Sequence, residues 1–227
     1  MTKYFIKDVF LQAIATSVIV AVGFVIAEPI VTNGAVTETQ FVVSQQITSE
    51  IAFATPASNI TMSPSLAALT GGTSLGSTTV SVTTNNALGY NLALTASSSL
   101  GMIGVTQGGT IPAYASTSPL TNPDYNFNVP ANKAYFGYTV ENASTSDLTA
   151  GFKDNGASCG VGSLDTVDKC WINASTTSRT LVNRSTFTNG TGNTTTIKFR
   201  VTINSNPIPS IPQDWYYATA TLTATTN

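Results

Sequence analysis

Two cysteines, Cys159 and Cys170, stand in the stretch GASCGVGSLDTVDKCW with ten residues between them, and the 227-residue chain has no others. Two chemistries are open to such a pair. In an oxidising compartment they join, and closing a loop of about 12 residues stabilises a fold by about 3 kcal/mol. Zinc binding is the rival, but zinc takes four ligands, and two cysteines with no histidine anywhere cannot make a normal site. A disulfide is the expected state, and it implies export.

The lack of histidine also removes Ser-His-Asp, Cys-His and His-metal arrangements. Carboxylates remain, and a glycosidase needs only two of them. The 11 acidic residues are scattered, and the group Asp147, Asp154, Asp165 and Asp168 reads as solvated loop charge. A weak calcium site from Asp154, Asp165 and Asp168 is the alternative, since oxygen-rich loops suit calcium, but no EF-hand or repeat spacing accompanies it. The glycine pair in LTGGTSLG, Leu69 to Gly76, has no lysine and no following helix, so it is a turn and not a phosphate loop. Tyr114, Tyr125, Tyr135, Tyr138, Trp171 and Trp215–Tyr217 include the residue types of a sugar-stacking platform, although aromatic residues in strands more often fill a core. No catalytic residue, cofactor or metal is expected.

The elements that would carry these residues are strands. Ser and Thr supply 61 residues, Thr well ahead, and the branched Cβ of Thr suits a pleated surface. Only 20 residues are charged, 9 basic and 11 acidic, and none lies between Ile51 and Pro123. A surface with so little field is a poor partner for nucleic acid. Disordered tails carry more charge and fewer apolar residues than this.

Period-two alternation marks the strands one by one. QFVVSQQITSEIAF, Gln40 to Phe53, alternates at Ile47, Ser49, Ile51 and Phe53. TTVSVTTNNALGYNLALTA reads as two strands joined at Asn85-Asn86, with Val80 and Val82 on one face, then Tyr90, Leu92 and Leu94. Residues 97–132 read as long loops with short strands. AYFGYTVEN places Phe136, Tyr138 and Val140 together. TTTIKFRVTIN turns Ile197, Phe199, Val201 and Ile203 inward and Lys198, Arg200 and Thr202 to water. WYYATATLTATTN reads as one last strand, with Tyr216, Ala218, Ala220 and Leu222 opposite a row of Thr. A short turn near Thr145–Lys153 is the one helical hint beyond residue 30. The expectation is an all-β fold, an immunoglobulin-like β-sandwich of about seven to nine strands after one N-terminal apolar helix. A closed barrel is the alternative.

That helix is Val9 to Ala27, 19 uncharged residues behind Lys3 and Lys7. At 1.5 Å per residue it reaches roughly 28 Å, the thickness of a bilayer's hydrocarbon. Residues 1–29 therefore read as a signal peptide or a membrane anchor, with cleavage slightly favoured. Either way the flanking lysines keep the start in the cytoplasm and export the rest. Residues 30–39 form a polar spacer around Asn33-Gly34, and residues 40–227 form one domain with a disulfide loop at 159–170. Six sequons, at Asn59, Asn142, Asn173, Asn183, Asn189 and Asn193, are candidates for N-glycosylation.

The opening QQITSEIAF, the pair TTVSVTTNNALGYNLALTA and the ending IPQDWYYATATLTATTN resemble secreted immunoglobulin-like surface and fimbrial-type proteins of prokaryotes. In that family the last strand commonly follows a Pro-x-Gly-x-Tyr turn. Pro212 and Tyr216 match it, and Asp214 stands where glycine is usual. Type IV pilins and archaeal filament proteins also set an apolar helix before a β-domain, but they are cut ahead of that helix. No convincing cut of that kind precedes Val9, and no glutamate lies within Val9–Ala27.

The resemblance and the composition together imply an exported structural protein at the cell surface, a subunit of a surface layer or pilus-like filament. Its partners would be copies of itself, other cell-surface proteins or glycans, with membrane contact only through residues 9–27 if they are uncleaved. Phe41, Val43, Ile47, Ile51 and Phe53 form a candidate donor strand for a neighbouring subunit's sheet edge, and pairing within its own domain is the alternative. An adhesin or carbohydrate-binding sandwich, using loops of Gly101–Asn132 or the disulfide loop, and a pilin-like subunit that keeps its apolar helix, are the other functional readings.

Overall fold

The computed structural model describes residues 38–117 and 122–227. The apolar segment Val9–Ala27 and the start of the spacer lie outside these residues. The chain divides into a unit ending at Gln46 and a compact unit running from Ile47 to Asn227.

Among the described residues of the larger unit there are ten strands, all paired antiparallel: β1 Ile51–Thr55, β2 Gly72–Thr84, β3 Tyr90–Ala96, β4 Gly101–Gly104, β5 Thr110–Pro112, β6 Ala134–Asn142, β7 Arg179–Arg184, β8 Asn193–Ile203, β9 Tyr216–Tyr217 and β10 Ala220–Thr226. No α-helix occurs among the described residues, and a single 3-10 turn, Ala150–Phe152, sits inside the expected Thr145–Lys153 turn. The strands form three sheets, in the orders β1-β2-β8-β6, β10-β3-β7 and β5-β4-β9.

Alternation makes the core. Val80 and Val82 of β2, Phe136, Tyr138 and Val140 of β6, and Ile197, Val201 and Ile203 of β8 turn inward from the first sheet. They join Tyr90, Leu92 and Leu94 of β3 and Leu181 and Val182 of β7 in one hydrophobic cluster. Strand β7 has no alternation to betray it, because Leu181 and Val182 are adjacent and both buried. An irregularity of register between Leu92 and Ala93 of β3 accommodates the consecutive pair.

Three expectations need correction. The Gln40–Phe53 tract is not one strand, because ladder pairing begins at Ile51 opposite Thr84, the last residue of β2. Upstream, the Asn85 side chain takes the backbone instead, accepting from the Glu50 amide at 2.6 Å and donating to the Thr48 carbonyl at 2.9 Å. The final strand is broken at Ala218–Thr219, since Tyr216–Tyr217 pair with β4 and Ala220–Thr226 pair with β3 in a different sheet. Arg200 does not point freely to water. Its guanidinium lies 5.1 Å from the ring centre of Phe127 and 5.8 Å from that of Trp171.

Those rings cover the outer face of the first sheet. Tyr114, Phe127 and Trp171 form a second apolar cluster, with Tyr114 and Phe127 stacked at 4.4 Å. Gly137 of β6 makes room for it. A Cβ there would lie 2.8 Å from the Ile172 carbonyl oxygen, 2.9 Å from the Phe127 ring and 3.0 Å from the Tyr114 Cβ.

Candidate functional site

The disulfide joins Cys159 to Cys170, whose Cα atoms are 5.6 Å apart. Its loop folds around Asp154, a fully buried carboxylate. Asp154 Oδ1 accepts from the Gly156 amide at 2.7 Å and the Thr166 hydroxyl at 2.8 Å, and Oδ2 accepts from the Thr166 amide at 2.9 Å. The Asp154 backbone exchanges two hydrogen bonds with Leu164. Gly162 lets the chain close here, at φ +90°, with its virtual Cβ 2.4 Å from the Asp154 carbonyl oxygen. Burial pushes the Asp154 carboxyl upward, but these donors and the nearby Lys169 charge outweigh it and hold the group below its ordinary value.

The loop acids are therefore not uniformly solvated. Asp154 and Asp147 are buried, and only Asp168 behaves as expected, in an exposed ion pair with Lys198 at 3.0 Å. Asp147 accepts from Arg184 at 2.6 Å and from the Asn193 amide at 3.2 Å. Asp165 accepts from the Asn142 backbone at 3.0 Å, and its carboxyl is raised, chiefly by burial. The sequence does hold a signal for Asp154. Asp154-Asn155-Gly156 is a turn signature in which an Asp accepts from the amide two residues on. A calcium cage at Asp154, Asp165 and Asp168 would have to displace these protein donors, and among the described residues no cluster of acidic or sulfur ligands has metal-binding geometry.

Two sequons are built into the interior. The Asn142 amide donates to the Thr195 hydroxyl at 2.7 Å, and the Asn193 amide donates to the Tyr90 phenol at 3.1 Å; both Asn are buried. A glycan has no room at either in the folded protein. Asn59, Asn183 and Asn189 are exposed and Asn173 is half-buried.

The candidate donor residues separate as well. Phe41, Val43 and Ile47 are more than three-quarters exposed, whereas Ile51 and Phe53 are half-buried and packed on the core from β1. Strand β1 pairs only with β2, and β10 only with β3, so each stands at the rim of its sheet among the described residues.

The aromatic residues divide into two sets. Tyr114, Tyr138 and Trp171 are buried, Tyr135 packs beside the Tyr114 cluster, and Lys169 sits 4.7 Å over the Tyr125 ring. Trp215 and Tyr217 are exposed, at 71% and 59%. They flank Tyr216, which is half-buried, as alternation along β9 requires. Ile103 is paired with Tyr217, and the Val105 amide donates to the Trp215 carbonyl at 3.0 Å. Ile103, Val105, Trp215 and Tyr217 thus share one outward face. Asp214, the departure from the Pro-x-Gly-x-Tyr turn, anchors it. Its carboxylate accepts from the Gln107 amide at 2.7 Å, the Thr106 amide at 2.8 Å and the Trp215 amide at 2.8 Å. These bonds, led by that of Gln107, hold the carboxyl below its ordinary range.

No protein-family model matches the chain, and no curated protein is significantly similar to it.

Proposed function

We propose that this chain is an exported structural subunit of a cell surface, an immunoglobulin-like β-sandwich that associates with copies of itself by strand addition. The observation that carries this reading is the rim strand β10. Over Ala220–Thr226 it holds no charge and no proline, its one sheet partner among the described residues is β3, and β1 comes close to it without ladder pairing. Soluble β-proteins ordinarily guard such rims with charge, proline or a covering segment, because unpaired amides and carbonyls recruit other strands. Support for the sandwich comes from the single core shared by the first two sheets. The disulfide suits an oxidising exterior.

A donor is available in the same sequence. Phe41, Val43 and Ile47 are exposed and fall on one parity of the chain, with Gln45 in the place between the last two, and such a row can supply an added strand. Laid along β10, such a strand would satisfy main-chain groups and cover Leu222 and Ala224, which are only half-buried. Deleting residues 30–46 should abolish higher oligomers in size exclusion and electron microscopy while leaving the melting temperature of the β-domain unchanged. Thr223→Lys, a charge placed on the rim, should do the same. Assembly that survives both changes would falsify strand addition.

A further inference from the structure

We propose that the outward face of β4 and β9 is a binding platform for an uncharged polysaccharide, independent of the assembly rim on β10. Trp215 and Tyr217 project from one side of a strand, about 7 Å apart at the strand rise. Ile103 and Val105 extend the apolar face beside them, at 42% and 66% exposure. The fold does not need these residues outside, since Tyr216 and Met102 from the same strands already pack on the core. Four adjacent apolar side chains on a surface otherwise rich in Ser and Thr mark a contact site.

The platform is held in place before any ligand arrives. Asp214 pins the Thr106–Gln107 loop to the Trp215 backbone, and the Tyr216 hydroxyl donates to the Pro212 carbonyl at 2.8 Å. Fixing a contact face in advance lowers the ordering cost of binding.

The choice of ligand follows from what borders the aromatic residues. A depression of about 260 Å³ adjoins Tyr217, Ile103 and Val105, and its other walls include the hydroxyl residues Ser97, Ser98 and Thr219. That is slightly below the roughly 300–1,000 Å³ of drug-sized pockets and suits a single sugar ring. A pyranose presents a C–H face that packs on an aromatic ring and a rim of hydroxyls that exchange hydrogen bonds with Ser and Thr. No charged side chain lines the depression. The nearby Asp214 carboxylate is already engaged by three backbone amides, so a neutral sugar fits better than an acidic one. A purely apolar peptide would leave the hydroxyl wall unused.

The two tryptophans give the test its readout. Trp171 is 1% exposed and Trp215 is 71% exposed, so a ligand on this face should change the emission of Trp215 alone. The full chain would be titrated with cellohexaose, chitohexaose and mannohexaose while tryptophan fluorescence is followed. A saturable blue shift with at least one of them is expected. Trp215→Phe should remove the shift, and Tyr217→Ala should weaken binding about tenfold or more, read by calorimetry. Phe187→Ala, an exposed aromatic on another loop, should leave binding unchanged. No shift with any of the three sugars overturns the proposal in the wild-type protein, whatever the variants do. Unchanged binding in Tyr217→Ala overturns it too. Loss of oligomers in Tyr217→Ala without sugar binding assigns the face to a second copy instead.

Discussion

Asn193 on β8 donates its side-chain amide to the phenol oxygen of Tyr90 on β3, a 3.1 Å bond that ties the first sheet to the second. The same amide reaches Asp147 at 3.2 Å, and Arg184 closes the chain of contacts on Asp147 at 2.6 Å. Buried polar groups in such a network are costly to orphan. Asn193→Ala should therefore lower stability by about 1–3 kcal/mol, seen as a lower urea midpoint at constant slope. Asn189→Ala, exposed in the loop that leads into β8, should fall within about 0.5 kcal/mol of wild type. Peptide mapping of folded material from a glycosylating host should find Asn193 and Asn142 unmodified. Equal effects at Asn193 and Asn189 would show that the sheet-to-sheet bond contributes nothing.

The Cys159–Cys170 bridge closes a short loop, with a sequence separation of 11. Constraining the unfolded chain over that length is worth about 3 kcal/mol. A Cys159→Ser, Cys170→Ser double variant should lose about that much in chemical unfolding, and the wild-type protein, folded or denatured, should take up no thiol reagent until a reductant is added. A double variant as stable as the oxidised protein would remove the loop from any account of durability.

Asp154 and Asp165 sit in or beside the same loop and titrate in opposite senses. The Asp154 carboxyl is depressed, so its folded form holds fewer protons than its unfolded form. Its stabilisation is present above the unfolded value of about 3.9 and is lost as pH falls through the folded one. The Asp165 carboxyl is raised by burial, so its ionised form costs stability as pH rises past the unfolded value. Asp154→Asn should cost about 1–3 kcal/mol at neutral pH and progressively less below pH of about 4. Asp165→Asn should move neutral-pH stability the other way or leave it unchanged, because it also weakens the bond accepted from Asn142. Urea midpoints measured from acid to neutral pH separate the two, and parallel curves for both variants would contradict the assignment.

How much of this was legible follows from where alternation operates. β2, β3 and β8 announce themselves, because one face of each meets the core and the other is more open; β6 is buried on both faces over residues 136–140, and is legible because its large apolar residues still alternate with Gly137 and Thr139. β7 is not, because a bulge buries two adjacent residues. The ends of β1 and β9 are invisible for another reason: partner strands and the Asn85 side chain set them, and both are distant in sequence. Charge misleads at Asp154 and Arg200. A loop position for the first and an outward place in the alternation of β8 for the second suggest solvent, yet hydrogen-bond donors surround Asp154 and aromatic rings flank Arg200. The exposed Trp215 face is only half legible: the aromatic types stand in the sequence, but the pairing that brings Ile103 beside Tyr217 joins residues distant in sequence.

Tyr114 links the outer aromatic cluster to alkaline stability. Its hydroxyl donates to Asp124 at 2.9 Å and accepts from the Asn128 amide at 3.2 Å, while its ring stacks on Phe127. Burial, aided by the bond to Asp124, raises the phenol to about 12. The folded form thus keeps a proton that the unfolded form releases near pH 10. The stabilisation is complete below that pH and is lost as pH climbs toward 12. Tyr114→Phe keeps the ring but removes the titrating group and its donation to Asp124. It should lower stability at neutral pH and reduce the steepness of alkaline unfolding, with the residual slope left to Tyr90, Tyr138 and Tyr216, all also raised by burial. Tyrosinate absorbance followed with near-ultraviolet dichroism measures both effects. If one phenol fewer titrated late while the alkaline midpoint stayed fixed, the outer cluster would be packing on the sheet without bracing it.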